Sequence, residues 1–571
     1  MEGMPMETTA AQTPSVAEDP ALGLSRREKF EILGAVMLGM FLAALDQTIV
    51  GPVMPKIVGD LNGQDYYTWV TTIYLLTSTV TVPIYGKLSD LFGRKPVLMV
   101  GITLFLIGSA LSGLSQEMWQ LVLFRGIQGL GAGSLFPIAL AIIGDLFTPA
   151  ERGKYQGFFG LTFGLAFLLG PGLGGFLTDT FSWHAIFYVN IPIGLIALAV
   201  IWGLLPNVRH AERVGSIDYP GVATLVLGLV PILIGLTIAE TSGFGDPVVW
   251  AWIVGGLVFL GIFVLIERRA AEPIIPLHLF RNRTFSASML SIFFATFGFG
   301  ALIIFLPFYF LIVEHVSFTE SGYRFLPFMF GLIISSILSG QLVSRTGRYK
   351  PFVLLGFLAL TVGQVLMTQL RVGTNDWVLN AWMFITGLGI GPTFAVFTIV
   401  VQNAVPFNEL GAATSDLTLF RQIGTTVGIA AAYTLFRINL SWSLLREQII
   451  GAGAPAAFVP TAPPPGFDIA KLTSPTGGGG EFLAQIPQQA QAIFVEGFNR
   501  ALTIAIANSI WLGVGAAVVA AVVALFLREI PLRTTLGAPA RGAAAAGGPE
   551  TRPETRPAGP APAYRPAPEP D

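Results

Sequence analysis

The sequence predicts an all-α polytopic membrane protein with fourteen spanning helices, arranged as two six-helix bundles with two further helices inserted between them. Three observations carry this expectation: a composition too apolar for a soluble globule, fourteen apolar runs of spanning length, and an internal repeat. Of 571 residues, 53% are hydrophobic and only 12% are charged, with a mean hydropathy of +0.69. Soluble domains carry about 25% charged residues, so there is too little polar surface here to cover a globule. The chain has no cysteine, which excludes disulfides, thiolate metal sites and cysteine nucleophiles. A net charge of −2 points to no particular partner.

The first 29 residues contain no short apolar core before a small-residue cleavage site, so they read as a polar, disordered arm rather than a signal peptide. A spanning helix needs about 20 apolar residues. Runs of that kind lie near 31–51, 67–88, 97–115, 119–143, 155–177, 184–205 and 217–238, and then near 248–267, 285–312, 321–344, 350–370, 377–402, 411–438 and 498–527. Alternate loops are basic. They hold Arg26, Arg27 and Lys29; Lys87, Arg94 and Lys95; Arg152 and Lys154; Arg209 and Arg213; Arg268, Arg269, Arg281 and Arg283; Arg345, Arg348 and Lys350; Arg528 and Arg533. The opposite loops hold only Lys56, Arg324, Arg371, Arg446 and Lys471. Cytoplasmic loops collect Lys and Arg, so both termini are expected on the cytoplasmic side of an inner membrane. Residues 440–497 then form a long outer loop rich in Pro, Gly and Ala, in which 481–497 reads either as linker or as a cap over the outer mouth. Residues 531–571 form a Pro/Ala-rich tail too poor in apolar residues to build a core.

The two bundles follow from the repeat. "GKLSDLFGR" (86–94) matches "GQLVSRTGR" (340–348), "GLGAGSLF" (129–136) matches "GLGIGPTF" (387–394), and Glu151 and Gly153 match Glu409 and Gly411. The offsets are 254, 258 and 258 residues, and their near constancy argues against chance. The first GxLxxxxGR copy follows the second span and its partner follows the tenth, so two spans have been inserted between six-helix halves. The expected organisation is an arm (1–29), a first bundle (30–206), an inserted pair with linker (207–284), a second bundle (285–530) and a tail (531–571). In the repeat Asp90 aligns with Ser344, Arg125 with Met383 and Asp145 with Asn403. A weaker match by the prolines sets Asp46 against Ala301. Proton chemistry is therefore expected in the first half.

Several residues carry that chemistry. Asp46, in "FLAALDQTIVGPVMP" (41–55), costs roughly 2.5–3.5 kcal/mol on insertion scales if it lies at the centre of a span. Gly39, Ala43 and Asp46 share a helix face whose small residues let a neighbour approach, which turns Asp46 into the bundle. An acid taken out of water favours its neutral form, as a proton carrier requires. The alternative is an acid solvated near the outer interface, with only five residues between it and Pro52. Arg125, in "LVLFRGIQGLGAG", keeps its charge and needs an acceptor such as Asp46, a carbonyl or water, unless it snorkels to the interface. In "GKLSDLFGRKP", Gly86 and Gly93 permit a tight turn, and Asp90 either caps a helix or pairs with Arg94, beside Lys95. In "GLTFGLAFLLGPGLGG" (160–175), Gly160 and Gly164 form a packing face. Pro171 among Gly170, Gly172, Gly174 and Gly175 allows a bend, or the glycines simply pack. Asp416 and Arg421 are five apart and do not share a face; Arg421 and Gln422 look to a neighbour or to a cavity. Among the aromatics of the ninth span, Phe305 and Tyr309 are candidates for lining a greasy cavity, with others facing lipid. The four histidines have no metal-ligand spacing, and there is no phosphate loop, no nucleic-acid surface and no sign of a cofactor or of enzymatic chemistry. Protein partners are not specified by anything in the sequence.

These motifs together, from about residue 30 to 530, resemble the major facilitator superfamily, and within it the fourteen-helix drug:H⁺ antiporters of the multidrug efflux type. "GKLSDLFGRKP" resembles the superfamily's cytoplasmic signature loop. "LDQTIVGPVMP" is similar to a first-helix signature that more often reads LDxTIVNVALP, with Gly51 where asparagine is usual. "RGIQGLGAG", "GPGLGG" and "WHAIFYVNIPIG" (183–194, with His184 for the usual arginine) resemble the fourth-, fifth- and sixth-helix motifs. The resemblance implies that Asp46 binds and releases protons and that Arg125 couples this to conformation. It implies that Asp90, Arg94 and Asp145 form a cytoplasmic charge cluster holding the outward-facing state. Gly170, Pro171 and Gly174 would shape an antiporter hinge, and the inserted pair would lie outside the transport path. The expected activity is proton-coupled export of a small lipophilic or cationic compound across the bilayer, the alternative being an endogenous lipid or natural product.

Overall fold

The computed structural model describes residues 24–61, 63, 66–206, 217–456, 459–463 and 488–533. The expectations for most of the arm, for the tail from 534 and for 464–487 lie outside these residues. The described residues are helical with short connections, in the order the apolar runs predict. The first stretch is α1 (Arg26–Leu61), α2 (Tyr67–Phe92), α3 (Arg94–Ser112), α4 (Met118–Leu146), α5 (Pro149–Gln156), α6 (Phe158–Thr180), α7 (Ala185–Tyr188) and α8 (Asn190–Leu204). The inserted pair is α9 (Tyr219–Ser242) and α10 (Pro247–Glu267). Then come α11 (Arg283–Ile312), α12 (Phe318–Arg324), α13 (Leu326–Thr346), α14 (Lys350–Met367), α15 (Asp376–Ala404), α16 (Leu410–Asn439), α17 (Trp442–Gly451) and α18 (Gln488–Leu525).

Among the described residues, twelve helical stretches are long and apolar enough to cross a membrane by length and composition. The other two expected spans, α2 and α16, are helices of 26 and 30 residues. Threonine, serine and tyrosine dilute the first; Asp416, Arg421 and several threonines dilute the second. Both sit inside the bundle, where polar side chains meet other helices rather than lipid.

Three boundaries differ from the sequence expectation, each for a packing reason. α1 starts at Arg26, with Ser25 and Glu28 closing its first turn, and it passes through Pro52 and Pro55 to Leu61. Ile49, Val50, Val53, Met54 and Ile57 bury against Leu121, Trp183, Ile186 and Phe187, and that burial outweighs the hydrogen bonds the prolines remove. α18 begins at Gln488, so 488–497 is the start of the last long helix rather than outer loop. Its first turns are too polar for an apolar-run reading, but Phe494 and Phe498 pack with Leu445 and Ile449 of α17. Finally, α6 runs continuously through Pro171, and the helical stretch is interrupted earlier, at Gly157.

The inserted pair covers the seam between α2 and α16. Leu225, Leu229, Leu233 and Phe263 bury with Leu76, Val80 and Val82 of α2 and with Leu419 of α16. Among the described residues, basic connections gather at one end of the bundle. There Phe30 meets Tyr155, Tyr349 hydrogen-bonds the backbone at Ile530, and Arg533 meets Asn403 and Val405. The start of α1 and the chain following α18 thus share this basic end.

Candidate functional site

Asp46 lies 20 residues into the 36-residue α1 and is fully buried at mid-helix, so it is not a solvated acid. Its neighbours come from the first-half helices. The Arg125 Nη1 donates to Oδ2 at 2.5 Å, the Gln128 amide donates to Oδ1 at 2.8 Å, and the Asn190 amide donates to Oδ1 at 3.1 Å. Arg125 also donates to Gln128 at 2.8 Å, and its guanidinium lies 4.1 Å from the Tyr74 ring centroid. Asn190 is steered by Ser109, which accepts from it at 3.0 Å and donates to the Phe187 carbonyl at 2.8 Å. A buried ion pair is held together only when its remaining polar atoms are satisfied. Here three donors converge on one carboxylate and an aromatic face covers the cation, while Arg125 Nε and Asn190 Oδ1 are buried with no hydrogen-bond partner among the described residues.

A second cluster lies at the basic end. Arg94 Nη1 donates to Asp90 at 2.5 Å and to Ser89 at 2.7 Å, and Arg94 Nε donates to Asp145 at 3.0 Å. Gly93 makes the turn into α3 with a φ of +95°, a conformation open to glycine, and Lys95 reaches the Trp202 carbonyl. Asp90 does both things the sequence allowed. Besides pairing with Arg94, it accepts from the backbone N–H of Gly411 at 3.0 Å and of Ala412 at 2.8 Å, capping α16 from the other half. Gly86 makes this possible, since a Cβ there would strike Ser415 and lie 2.8 Å from the Gly411 carbonyl. Two further contacts join the halves nearby. The Gln156 amide donates to Gln402 at 2.9 Å, while Gln402 donates to the Leu140 carbonyl at 3.0 Å. Gly153 of α5 and Gly340 of α13 meet backbone to backbone.

The glycines of "GPGLGG" divide between two neighbours. A Cβ on Gly170 would overlap Thr48, and one on Gly174 would lie 2.8 Å from the Ile49 carbonyl. Thr48, two residues after Asp46, donates to the Ala166 carbonyl at 2.8 Å. On the other side Gly172 faces Tyr323, Gly175 lies nearest Thr319, and Pro171 packs on Gly322. Gly164 faces Ile333 of α13. The motif is thus a two-sided packing face that seats α1 beside the ion pair.

Arg421 is buried and meets aromatic rings from both halves, 4.7 Å from the Phe394 centroid and 5.7 Å from that of Phe159. Its Nη2 donates to the Thr393 carbonyl at 3.2 Å. Phe136 and Phe163 complete the cluster. Gln422 neighbours it on α16, its amide oxygen buried without a hydrogen-bond partner among the described residues. Phe305 and Tyr309 are not part of this group. Phe305 packs on Tyr433 and Phe436, and Tyr309 donates to the Arg371 carbonyl. Among the described residues no group of His, Asp and Glu is placed to hold a metal.

Sequence reasoning missed Gln128, Asn190, Ser109 and Tyr74. Gln128 had a signal, being one helical turn from Arg125 on the same face. Asn190 and Ser109 are distant in sequence and only the fold brings them to Asp46.

This fold, with its buried charges, defines a polytopic helical membrane protein. The chain belongs to the major facilitator superfamily, whose model matches residues 36–429, and it groups with multidrug efflux members of that superfamily. It is 40% identical over 427 residues to the multidrug transporter protein MdtP of Bacillus subtilis, covering 73% of this chain and 77% of the relative. It is 35% identical to multidrug resistance protein 3 of the same organism (79% and 86% covered). It is 33% identical to the acurin A biosynthesis cluster MFS-type transporter of Aspergillus aculeatus (73% and 76% covered). Among solved structures, a double-tryptophan mutant of XylE superposes with a TM-score of 0.54 at 15% identity, over 89% of this chain and 97% of that one, which speaks for the fold.

Proposed function

We propose that this protein is a proton-coupled antiporter that exports lipophilic or cationic drugs across the cytoplasmic membrane by alternating access, with fourteen spans, both termini in the cytoplasm and no enzymatic activity. The observation that carries the reading is the buried Asp46–Arg125 pair with its converging amides. Arginine keeps its charge. Protonating Asp46 therefore removes the partner of a buried cation, and Arg125 must find new acceptors by moving. Proton uptake and a shift of α4 against α1 become one event. The contacts at the basic end support an outward-facing state closed toward the cytoplasm, because Asp90, Gln156 and Gly153 of the first half engage Gly411, Gln402 and Gly340 of the second. The substrate site belongs near the midplane between the halves, where the Phe136, Phe159, Phe163, Phe394 and Arg421 cluster offers adaptable apolar contact. Exchanging a proton for a neutral compound also draws on the membrane potential, worth roughly 2.3 kcal/mol per charge per 100 mV.

The test is proton flux in proteoliposomes with an acidic interior, on adding lipophilic cations and neutral drugs. Substrate-triggered proton efflux is expected from the wild type, and its loss in Asp46→Asn. Flux that persists in Asp46→Asn would remove Asp46 from the coupling. Absence of flux with every drug would favour the second reading, export of an endogenous natural product or lipid, to which the likeness to a biosynthesis-cluster transporter already lends weight.

A further inference from the structure

A second buried aspartate stands outside the machinery described so far. Asp416, in the second turn of α16, is fully buried. Neither of its carboxylate oxygens has a hydrogen-bond partner among the described residues. It shares a helix face with Leu419, three residues on, and Leu419 packs in the crevice formed by α2, α9 and α10. The inserted pair therefore lies over Asp416.

The charges that face it are acids. Glu267 ends α10, Asp90 of α2 bonds the first amides of α16, and Glu409 immediately precedes that helix. The nearby cations are engaged elsewhere. Arg94 is held by Asp90 and Asp145, Lys87 by Glu272 at 2.6 Å, and His278 meets Glu409 at 3.1 Å. Glu267 has its own donor, the Ile274 N–H at 3.0 Å. The first amides of α16 are taken by Asp90, so the helix start does not serve Asp416 either. A bare carboxylate taken out of water with no donor is strongly disfavoured relative to the neutral acid.

We propose that Asp416 is a proton-binding site linked to closure of the basic end: it holds a proton while the two halves are joined there and releases it when they part. Closing takes one proton from water, which joins a carboxylate oxygen to give the acid; opening returns it. The link is the clasp on the same helix. When Asp90 lets go of Gly411 and Ala412, the start of α16 is freed from α2 and water reaches Asp416. The closed state binds one proton more than the open one, so raising the pH favours opening by up to about tenfold per unit. The proposal rests on the alternating-access reading, but it requires neither a drug substrate nor coupling at Asp46.

The experiment uses the full chain, which has no cysteine of its own. Spin labels go on cysteines replacing Lys154 and Asn408, both exposed at the basic end, and their separation is measured across pH. The open population of the wild type is expected to rise with pH. In Asp416→Asn, which mimics the neutral acid, that slope should fall by about one proton and the closed state should persist, while Asp416→Glu should restore it. Identical pH profiles in wild type and Asp416→Asn would overturn the proposal, as would loss of the slope in Glu267→Gln with retention in Asp416→Asn. If Asp416→Asn does not fold, infrared spectra of wild-type protein with carboxyl-labelled aspartate decide the matter. A protonated aspartate signal at neutral pH is expected, and its absence would overturn the assignment. Loss of proton-coupled drug export with this pH response intact would instead count against the function proposed above.

Discussion

Asp46 and Asp416 are both fully buried, yet their surroundings are opposite. Three donors, one of them a guanidinium, converge on Asp46, while Asp416 meets none among the described residues. Breaking the first arrangement therefore leaves uncompensated charge. Arg125→Leu should destabilise the protein by about 3–5 kcal/mol, the usual result of removing one partner of a buried pair; thermal unfolding in detergent measures it. Asn190→Leu removes one donor and should cost about 1–3 kcal/mol. Because Asn190 touches the carboxylate, it should also change the pH dependence of any proton flux, which a purely structural loss would not do. At this scale the sequence was informative about charge and poor about its partners. Asp46 and Arg125 stand out because ionisable groups in apolar runs are rare. Asn190 and Ser109 look like ordinary polar residues until α3 and α8 bring them beside α1.

Among the helices, glycines decide how close the axes come. A Cβ at Gly170 or Gly174 would collide with Thr48 or the Ile49 carbonyl, whereas Gly255 on α10 has nothing within 4 Å. Gly174→Leu is expected to abolish transport and lower the yield of folded protein, and Gly255→Leu to leave both within twofold of wild type; expression, size-exclusion profile and flux of the pair form the check. The same comparison explains what could be read in advance. The repeated glycine spacing marked the right segments, because close approach leaves small residues behind in the sequence. It did not tell packing from bending; what the structure adds is the set of neighbours, with α6 continuous through Pro171 and seated on α1 and α12. Helix ends were less legible, since Pro52 and the glutamines of α18 oppose a simple apolar-run reading while buried neighbours carry the helices past them.

For the whole molecule, the halves are joined at the basic end by a carboxylate from one half that completes a helix of the other. Asp90→Ala removes two accepted backbone bonds and the partner of Arg94. It should shift the population toward the open state by at least tenfold, an amount equivalent to about 1.4 kcal/mol; cross-linking of cysteines at Lys154 and Asn408 should become correspondingly slower. The repeat offset predicts a six-plus-two-plus-six order, and the described helices follow the order of the apolar runs. Where the inserted pair would lie was not legible, because nothing local in α9 or α10 names the α2 and α16 surfaces they cover.

The backbone meeting of Gly153 and Gly340 has a mechanical consequence. No side chains intervene there, so that point has little play, while the Asp90 clasp on α2 and α16 is made of bonds that can be exchanged for water. One behaves as a stop that fixes how closely the halves can meet, and the other as a latch that holds them there. Label pairs placed across either contact should separate together when the basic end opens. A bulky residue at Gly340 would then prop that end open rather than merely weaken the fold.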